Sequence, residues 1–254
     1  MGTIKVKTGD EIEKMRLAGR ITAEVLERLS KEIRPGIATE ELDSIGERLI
    51  REREAEPVFI GYRGYRHATC ISVNCEVVHG IPGKKTLQEG DIVSVDVGVK
   101  KDGYCGDVAA TFPAGKLSGK TEKLLRVCRE ALKNAIRQAR AGKHLGDISC
   151  AVQQLAEKNG FSVVRDLYGH GIGRDLHEDP LIPNFGKPGE GPELKPGMVL
   201  AIEPMINIGG WKIRTLPDGW TVVTEDGSLS CHFEHTVLIT EGEPEVLTWL
   251  KTKM

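Results

Sequence analysis

The sequence predicts one mixed unit of helices and strands, of the α/β or α+β class, from three observations. First, 254 residues with 39 % hydrophobic and 28 % charged side chains can bury a sizeable core, which excludes wholesale disorder. Second, amphipathic helix patterns alternate with runs of strand-forming residues. Third, no linker or shift in composition divides the chain, so we expect a single domain over residues 1–254.

Four helices are predicted from capping residues and from apolar side chains that recur three and four positions apart. Thr8 and Glu11 form a capping box at the start of the first helix. Glycines close the third and fourth helices. The helices are expected between residues 8 and 35, between 39 and 57, at 121–141 and at 147–158.

Strands are predicted where Val and Ile alternate with small or polar side chains. The clearest case is a hairpin, with one strand at 92–99, a turn at 100–103 and a return strand at 104–112. Further strands are expected at 70–78, 163–168, 198–206, 221–224 and 231–239.

A short internal repeat relates two of these strands. Residues 87–96 and 194–203 share a Leu, a Gly three positions later, and then an aliphatic stretch that ends in Asp96 and Glu203 respectively. Any turn followed by a strand can look like this, which is the alternative to a true repeat. However, a carboxylate in an apolar strand is costly unless it is paired. Two such carboxylates at one register suggest two related halves that face a shared site.

Asp96 and Asp107 lie on one face of the predicted hairpin. A four-residue turn places them directly opposite each other, whereas a two-residue turn at Asp102 and Gly103 makes them diagonal neighbours. Like charges across a strand pair repel. A cation between the two carboxylates is therefore the functional interpretation, and a solvated face is the alternative.

Three more candidates lie in apolar or glycine-rich sequence. His170 is in the Gly-His-Gly-Ile-Gly run at 169–173, and Glu234 lies in strand-like sequence. Glu203 ends the second copy of the repeat, immediately before Pro204, which fits a strand end or edge. With the two aspartates they make four carboxylates and one imidazole, and four negative charges match two divalent ions. Such ligands suit manganese, iron, cobalt or zinc. Because paired metals lower the pKa of a shared water and polarise a carbonyl, the set predicts hydrolysis.

The sequence resembles the type I methionine aminopeptidases, which have the pita-bread metallopeptidase fold of prolidase and aminopeptidase P. The resemblance covers essentially the whole chain. It rests on Val-Asp-Val-Gly at 95–98, Gly-Asp at 106–107, the run at 169–173, Ile-Glu-Pro at 202–204 and Phe-Glu-His-Thr at 233–236. It implies an α+β fold with a pseudo-two-fold antiparallel sheet, helices packed on its outer face and the active site on its inner face.

The resemblance also implies a role for each site residue. The metal ligands for two divalent ions (Co, Mn, Fe or Zn) would be Asp96, Asp107, His170, Glu203 and Glu234. His79 would contact the scissile amide nitrogen and His177 the carbonyl oxygen. Glu203 would take the proton from the metal-bridging water that attacks the carbonyl, and Asp96 would help to hold the free N-terminal amine.

Substrate contacts implied by the resemblance come from His79, His177 and a group of apolar, aromatic or sulfur-bearing side chains that suits a thioether. This group is Phe59, Tyr62, Tyr65, Cys70, Leu176 and Trp220. Plain core packing is the alternative for each. Many relatives have Cys at 59, an aromatic at 176 and His at 63, so Phe59, Leu176 and Arg63 leave the pocket shape open. A monovalent cation beside Asn74 and Ser230 is a further expectation.

We therefore expect a cytoplasmic, monomeric enzyme that removes the initiator methionine from nascent polypeptides with a small second residue, at the ribosome. A proline-specific relative is the close alternative, although the segment before Asp96 is short for the extra domain of those enzymes. A non-catalytic peptide-binding module is the other alternative. A net charge of -2 argues against nucleic-acid recognition, and no apolar run is long enough for a membrane span. The six cysteines are expected to be free.

Overall fold

The computed structural model describes residues 3–249, so both ends of the expected 1–254 domain lie outside the described range. The α-helices in this range are α1 (Gly9–Ser30), α2 (Thr39–Glu52), α3 (Gly119–Gln138) and α4 (Leu145–Lys158), and one turn of 3-10 helix covers Tyr62–Gly64. The strands are β1 (Glu56–Pro57), β2 (Thr69–Val73), β3 (Glu76–Val78), β4 (Asp91–Lys101), β5 (Tyr104–Ala114), β6 (Ser162–Val163), β7 (Tyr168–Gly171), β8 (Glu178–Pro183), β9 (Val199–Ile202), β10 (Met205–Asn207), β11 (Ile213–Thr215), β12 (Val222–Thr224), β13 (Ser230–His232), β14 (His235–Leu238) and β15 (Glu245–Val246).

All four predicted helices are present, with shifted ends. The capping box is confirmed, since the Thr8 amide donates to Glu11 Oε2 at 2.9 Å and the Glu11 amide donates to Thr8 Oγ1 at 3.4 Å. α1 ends several residues before the predicted stop, because the Lys31 and Glu32 amides donate to the Arg28 and Leu29 carbonyls, three residues back, which tightens and ends the last turn. α2 also ends early, because the two residues of β1 pair with β4.

The hairpin of β4 and β5 has a two-residue turn. Lys101 pairs with Tyr104, and the two residues between them have φ values of +51° and +81°, which suit a type I′ turn. The predicted four-residue turn is wrong, and the two-residue alternative is confirmed. Asp96 therefore faces Ala109 while Asp107 faces Gly98, so the two aspartates are diagonal neighbours on one face.

Four strands predicted as continuous are interrupted. The 70–78 strand breaks at Asn74, whose φ is +60°. The 198–206 strand breaks at Glu203 and Pro204, since proline has no amide for the ladder. The 231–239 strand breaks at Phe233 and Glu234, because β13 pairs with β10 and β14 pairs with β9. The predicted strand at 163–168 is likewise two short strands, β6 and the start of β7.

The two largest sheets are a four-stranded sheet, in which β4 pairs with β1, β2 and β5, and a five-stranded sheet in the order β15-β14-β9-β7-β8. In each sheet, the strand that carries the repeat (β4 or β9) follows a turn of the same geometry. The Gly90 amide donates to Ala114 at 2.8 Å with φ at +91°, and the Gly197 amide donates to Ile239 at 2.9 Å with φ at +87°. The repeat at 87–96 and 194–203 therefore has the same hydrogen bonding in both copies, as the expected pseudo-two-fold requires.

Helices cover one face of this framework. Alternate valines of β4 pack with Ile21, Val25 and Leu29 of α1, which leaves Asp96 on the opposite face. α3 packs on α4 and shares a core with Leu200 and Ile202 of β9. Asp96 and Asp107 therefore point away from the helices.

Two sequence expectations concern features of the whole chain. The six cysteines all lie in the described range and are free thiols, as predicted. Between residues 3 and 249, no helix combines the length and the apolar character needed to cross a bilayer.

Candidate metal centre

Five side chains from five places in the chain converge on the face opposite the α-helices. Asp96 projects from β4, Asp107 from β5 and His170 from β7, while Glu203 follows β9 and Glu234 precedes β14. His170 Nε2 lies 3.9 Å from Asp107 Oδ2 and 3.6 Å from Glu203 Oε1. One ligand atom from each of Asp107, His170 and Glu234 lies within 4.8 Å of the other two. All five line one cavity.

Backbone contacts between the two halves hold Asp107 next to Glu234. The Asp107 amide donates to Thr236 Oγ1 at 3.0 Å, and the same hydroxyl donates to the Asp107 carbonyl at 2.8 Å. The Glu234 amide donates to the Ala109 carbonyl at 2.8 Å. His170 Nδ1 bonds the Gly171 carbonyl at 2.9 Å, which leaves Nε2 free to face the carboxylates.

The carboxylates are buried together, and their pKa values reflect this. Burial raises the pKa of Asp96 and of Glu203 to about 7, against the counteracting imidazoles of His232 and His170 respectively. Burial, and then repulsion from neighbouring carboxylates, holds the pKa of Asp107 and of Glu234 well above the ordinary range. A pocket that keeps four ionised carboxylates together therefore needs positive charge.

The cluster fits divalent cations. Oxygens of Asp96, Asp107 and Glu234 are buried without a hydrogen-bond partner. Within residues 3–249, no lysine or arginine forms an ion pair with the four carboxylates. The nearest basic groups are the imidazoles of His170, close to Asp107 and Glu203, and of His232, close to Glu203. Oxygen donors with one imidazole suit the first-row divalent metals, and thiolate ligands are absent from the cluster.

Two further histidines face the same cavity in a neutral form. Burial, with His232 nearby, lowers the pKa of His79 to about 4. Burial, followed by the charges of His170 and His79, lowers the pKa of His177 to about 3. The His177 ring lies 4.1 Å from the His170 ring and stacks on Tyr62 at 5.1 Å. Neutral imidazoles here can donate a hydrogen bond to a developing negative charge.

The cavity of about 350 Å³ that contains the five converging side chains also includes every residue expected at the substrate. These are Phe59, Tyr62, Tyr65, Cys70, His79, Leu176, His177 and Trp220. Tyr65 is fixed by its hydroxyl, 3.0 Å from the Thr69 carbonyl, and by an edge contact with Trp220 at 4.9 Å. Gly98 makes room for Phe59, because a Cβ at position 98 would lie 2.5 Å from Phe59 Cε1.

Sequence reasoning missed several residues of the site. Val78, Leu167, Tyr168, Leu181 and Met205 also line the cavity. His232 is buried, and its Nε2 lies 3.4 Å from Glu203 Oε2. No local pattern pointed to His232, because its contact with Glu203 joins the end of β13 to the residue that follows β9.

Asn74 and Ser230, expected beside a monovalent cation, are neighbours in the structure. The Ser230 amide donates to the Asn74 carbonyl at 2.9 Å. The Ser230 hydroxyl is buried and has no hydrogen-bond partner. The pair therefore offers oxygen atoms, while the Asn74 side chain is engaged with Asp91 at 2.8 Å.

Comparison with known proteins gives consistent results at three levels. The model of metallopeptidase family M24 matches residues 13–241. Methionine aminopeptidase 1 of Bacillus subtilis is 53 % identical over 95 % of this chain and 98 % of its own length. Methionine aminopeptidase of Escherichia coli is 46 % identical over 98 % of this chain and 95 % of its own length.

Solved structures extend the comparison to the fold. The crystal structure of methionine aminopeptidase from Thermotoga maritima has a TM-score of 0.96 and 48 % identity, covering 98 % of this chain and all of that one. Prolidase from Pyrococcus furiosus has a TM-score of 0.79 and 25 % identity, covering 97 % of this chain and 66 % of that one. The pita-bread, α+β architecture expected from the sequence is thus confirmed. The chain belongs to metallopeptidase family M24 and, within it, to the type I methionine aminopeptidases.

Proposed function

We propose that this protein removes the N-terminal methionine from polypeptides whose second residue is small. The observation that carries the proposal is the convergence of four buried carboxylates and one imidazole in a cavity with aromatic, aliphatic and sulfur-bearing walls. A thioether suits such walls. Near-full-length similarity to methionine aminopeptidases supports the same substrate.

Asp96, Asp107, His170, Glu203 and Glu234 are the residues that would hold two divalent cations, of manganese, iron, cobalt or zinc. Their unpartnered oxygens and raised pKa values support this assignment. Bound cations would supply Lewis acidity, which lowers the pKa of water and polarises a carbonyl. Because the metal and the substrate must share one small cavity, the substrate's amino end is expected to lie close to the carboxylates.

Glu203 is the proton acceptor in this proposal. Burial raises the pKa of its carboxyl to about 7, which makes it a better base near neutral pH than an exposed glutamate. Its Oε2 lies 3.4 Å from His232 Nε2, and its Oε1 lies 3.6 Å from His170 Nε2. Asp96 pairs with the substrate ammonium, which confines cleavage to the first peptide bond.

His177 and His79 act as hydrogen-bond donors at the scissile bond. Both imidazoles are neutral, because burial lowers their pKa values to about 3 and about 4. His177 donates to the carbonyl oxygen as negative charge develops there, and His79 contacts the departing amide nitrogen. The stack of His177 on Tyr62 limits the orientations of its ring.

The methionine side chain occupies the part of the cavity formed by Phe59, Tyr62, Tyr65, Cys70, Leu176 and Trp220. Burial raises the pKa of the Cys70 thiol well above its usual range, so this sulfur remains a neutral packing group. Selectivity for methionine then comes from contact with a shaped, uncharged wall.

The proposal is tested by cleavage of Met-Ala-Ser, Met-Lys-Ser and Leu-Ala-Ser in the presence of manganese or cobalt. We expect rapid cleavage of the first peptide, slow cleavage of the second because its side chain is bulky, and slow cleavage of the third. Equal cleavage of Leu-Ala-Ser would contradict the methionine assignment. Faster cleavage of Ala-Pro-Ser than of Met-Ala-Ser would favour the proline-specific alternative. Prolidase, which is structurally similar to this chain, is the reason for including that peptide.

The setting of the activity is part of the proposal. We infer one catalytic domain over residues 1–254 that acts in the cytoplasm as a monomer, on N-termini of nascent chains at the ribosome. A monovalent cation beside Asn74 and Ser230 would satisfy the unpartnered Ser230 hydroxyl. Co-sedimentation with translating ribosomes tests the setting, and dependence of activity on potassium or sodium tests the cation.

A further inference from the structure

The loop between β7 and β8, residues 172–177, carries His177 at its end. Its first residues are tied to the framework, since the Ile172 amide donates to the Val199 carbonyl at 3.1 Å and the Gly173 carbonyl accepts from Cys105 at 2.8 Å. The rest of the loop folds back on itself through the Gly173 amide and the Asp175 carbonyl. The distal end is held by the pairing of the Glu178 backbone with Gly171 and by the contacts of the Glu178 side chain, and together these set the position of the His177 ring.

Glu178, the residue after His177, collects hydrogen bonds at that distal end. Its Oε1 accepts from the Arg174 amide at 3.1 Å and from Lys5 Nζ at 3.2 Å. Its Oε2 accepts from Lys7 Nζ at 2.8 Å. Both carboxylate oxygens are thus engaged, and one of them clamps the backbone of the loop.

The two lysines on Glu178 differ sharply in environment. The Lys7 side chain is 5 % exposed and the Glu178 side chain 3 %, whereas Lys5 is 54 % exposed. Exposed pairs contribute little, because solvent screens them. A buried ion pair loses so much hydration that its presence is weak evidence for added stability. A role in fixing the local conformation explains the buried pair of Lys7 and Glu178 better.

Lys7 is itself held by the second half of the framework. Its amide donates to the Gly197 carbonyl at 2.8 Å, at the turn that leads into β9 and Glu203. The contact with the loop is tight, since a Cβ on Gly173 would lie 2.6 Å from Glu178 Oε1 and 2.8 Å from Lys7 Cε. The N-terminal segment thus connects the turn before Glu203 to the loop that carries His177.

We propose that Lys7 is a positioning residue whose buried ion pair with Glu178 holds the 172–177 loop, and with it the imidazole of His177, against the substrate carbonyl. The inference rests on the proposed function of His177. It predicts that the N-terminal segment affects the chemical step without touching the substrate, because a displacement of about 1 Å in a reacting group can cost about 100-fold in rate.

The test compares Lys7→Met with its matched control Lys5→Met, by kcat and KM on Met-Ala-Ser with saturating manganese. We expect Lys7→Met to lower kcat by about 10- to 100-fold with KM changed less than about threefold. Lys5→Met should stay within about twofold of the wild type, since its ion pair is exposed. An unchanged kcat in Lys7→Met would overturn the proposal.

A double-mutant cycle separates positioning from general structural damage. If Lys7 acts through His177, Lys7→Met should change kcat less than about twofold when added to His177→Ala. Equal losses in both backgrounds would overturn the proposal, as would a His177→Ala variant with full kcat.

If Lys7→Met does not fold, Lys7→Met/Glu178→Gln, which removes both charges, replaces it in every comparison. A wild-type protein inactive on Met-Ala-Ser would defeat the proposed function and this inference together, whereas an active one with additive losses defeats this inference alone.

Discussion

The two halves of the molecule each contribute two carboxylates to the cluster, but from different local structures. In the first half, Asp96 and Asp107 project from an uninterrupted hairpin of two 11-residue strands. In the second half, Glu203 and Glu234 lie at breaks where the chain passes from one sheet to another. A regular hairpin can present two acids only at its fixed register. Breaks in the strands allow the second pair to approach the first from other directions.

The halves differ also at the position of the imidazole. The internal repeat aligns Ser94 of β4 with Ala201 of β9. On the neighbouring strands, Ser72 faces Ser94 and His170 faces Ala201, so Ser72 and His170 are at equivalent positions. The first half therefore has a serine where the second has a candidate metal ligand. This difference makes the whole cluster asymmetric, although its carboxylates are nearly symmetric. The two cations would therefore occupy different environments.

The largest expected effect tests whether Glu203 and Asp96, equivalent in the repeat, have different duties. Glu203→Gln should lower kcat by about 10²- to 10⁴-fold, because it removes the proton acceptor. Asp96→Asn should raise KM more than Glu203→Gln does, because it removes the partner of the substrate ammonium. Steady-state kinetics on Met-Ala-Ser, with bound metal measured in each variant, checks both. Full turnover in Glu203→Gln would contradict its proposed role.

The next effect concerns the two neutral histidines. His177→Ala should lower kcat by about 10²- to 10³-fold, because a donor to the developing oxyanion is lost. His79→Ala should also lower kcat, with KM little changed in either variant. His67→Ala provides a control, since His67 pairs with Asp43 and does not line the cavity. Equal kcat values for the control and the two variants would remove both histidines from the chemistry.

Metal removal should expose the repulsion among the carboxylates. The folded pKa values of Asp96 and Glu203, about 7, exceed the ordinary values of about 4. The folded state therefore binds more protons than the unfolded state between pH 4 and 7, so the metal-free protein loses stability as pH rises through that window. We expect its Tm to fall by roughly 10 °C between pH 5 and 8. Manganese should raise Tm most at pH 8, and a flat profile in calorimetry would contradict this.

The smallest effect concerns the pocket. Phe59→Leu removes part of an aromatic wall that Gly98 accommodates, so it should reduce the preference for Met-Ala-Ser over Leu-Ala-Ser by less than about tenfold. The ratio of kcat/KM for the two peptides measures this. An unchanged ratio would place Phe59 outside the methionine contacts.

Local signals explain what the sequence could predict. Asp96 and Asp107 are joined by a short turn, so alternation alone placed them on one face, while the turn length decided their exact register. Glu203 was expected at a strand end because Pro204 follows it. The break at Glu234 depends on β13 and β14 pairing with strands that precede them by more than 20 positions, which no local pattern contains. The contacts of His232 with Glu203 and of Lys7 with Glu178 likewise join segments that are distant in sequence, so no local pattern predicts them.

The proposed chemistry depends on the binding of a pair of divalent ions by the five converging side chains. Anomalous scattering from crystals grown with manganese, measured near its absorption edge, tests this most directly. We expect two peaks, both enclosed by Asp96, Asp107, His170, Glu203 and Glu234. Manganese bound elsewhere, with this cavity free of anomalous density, would contradict it.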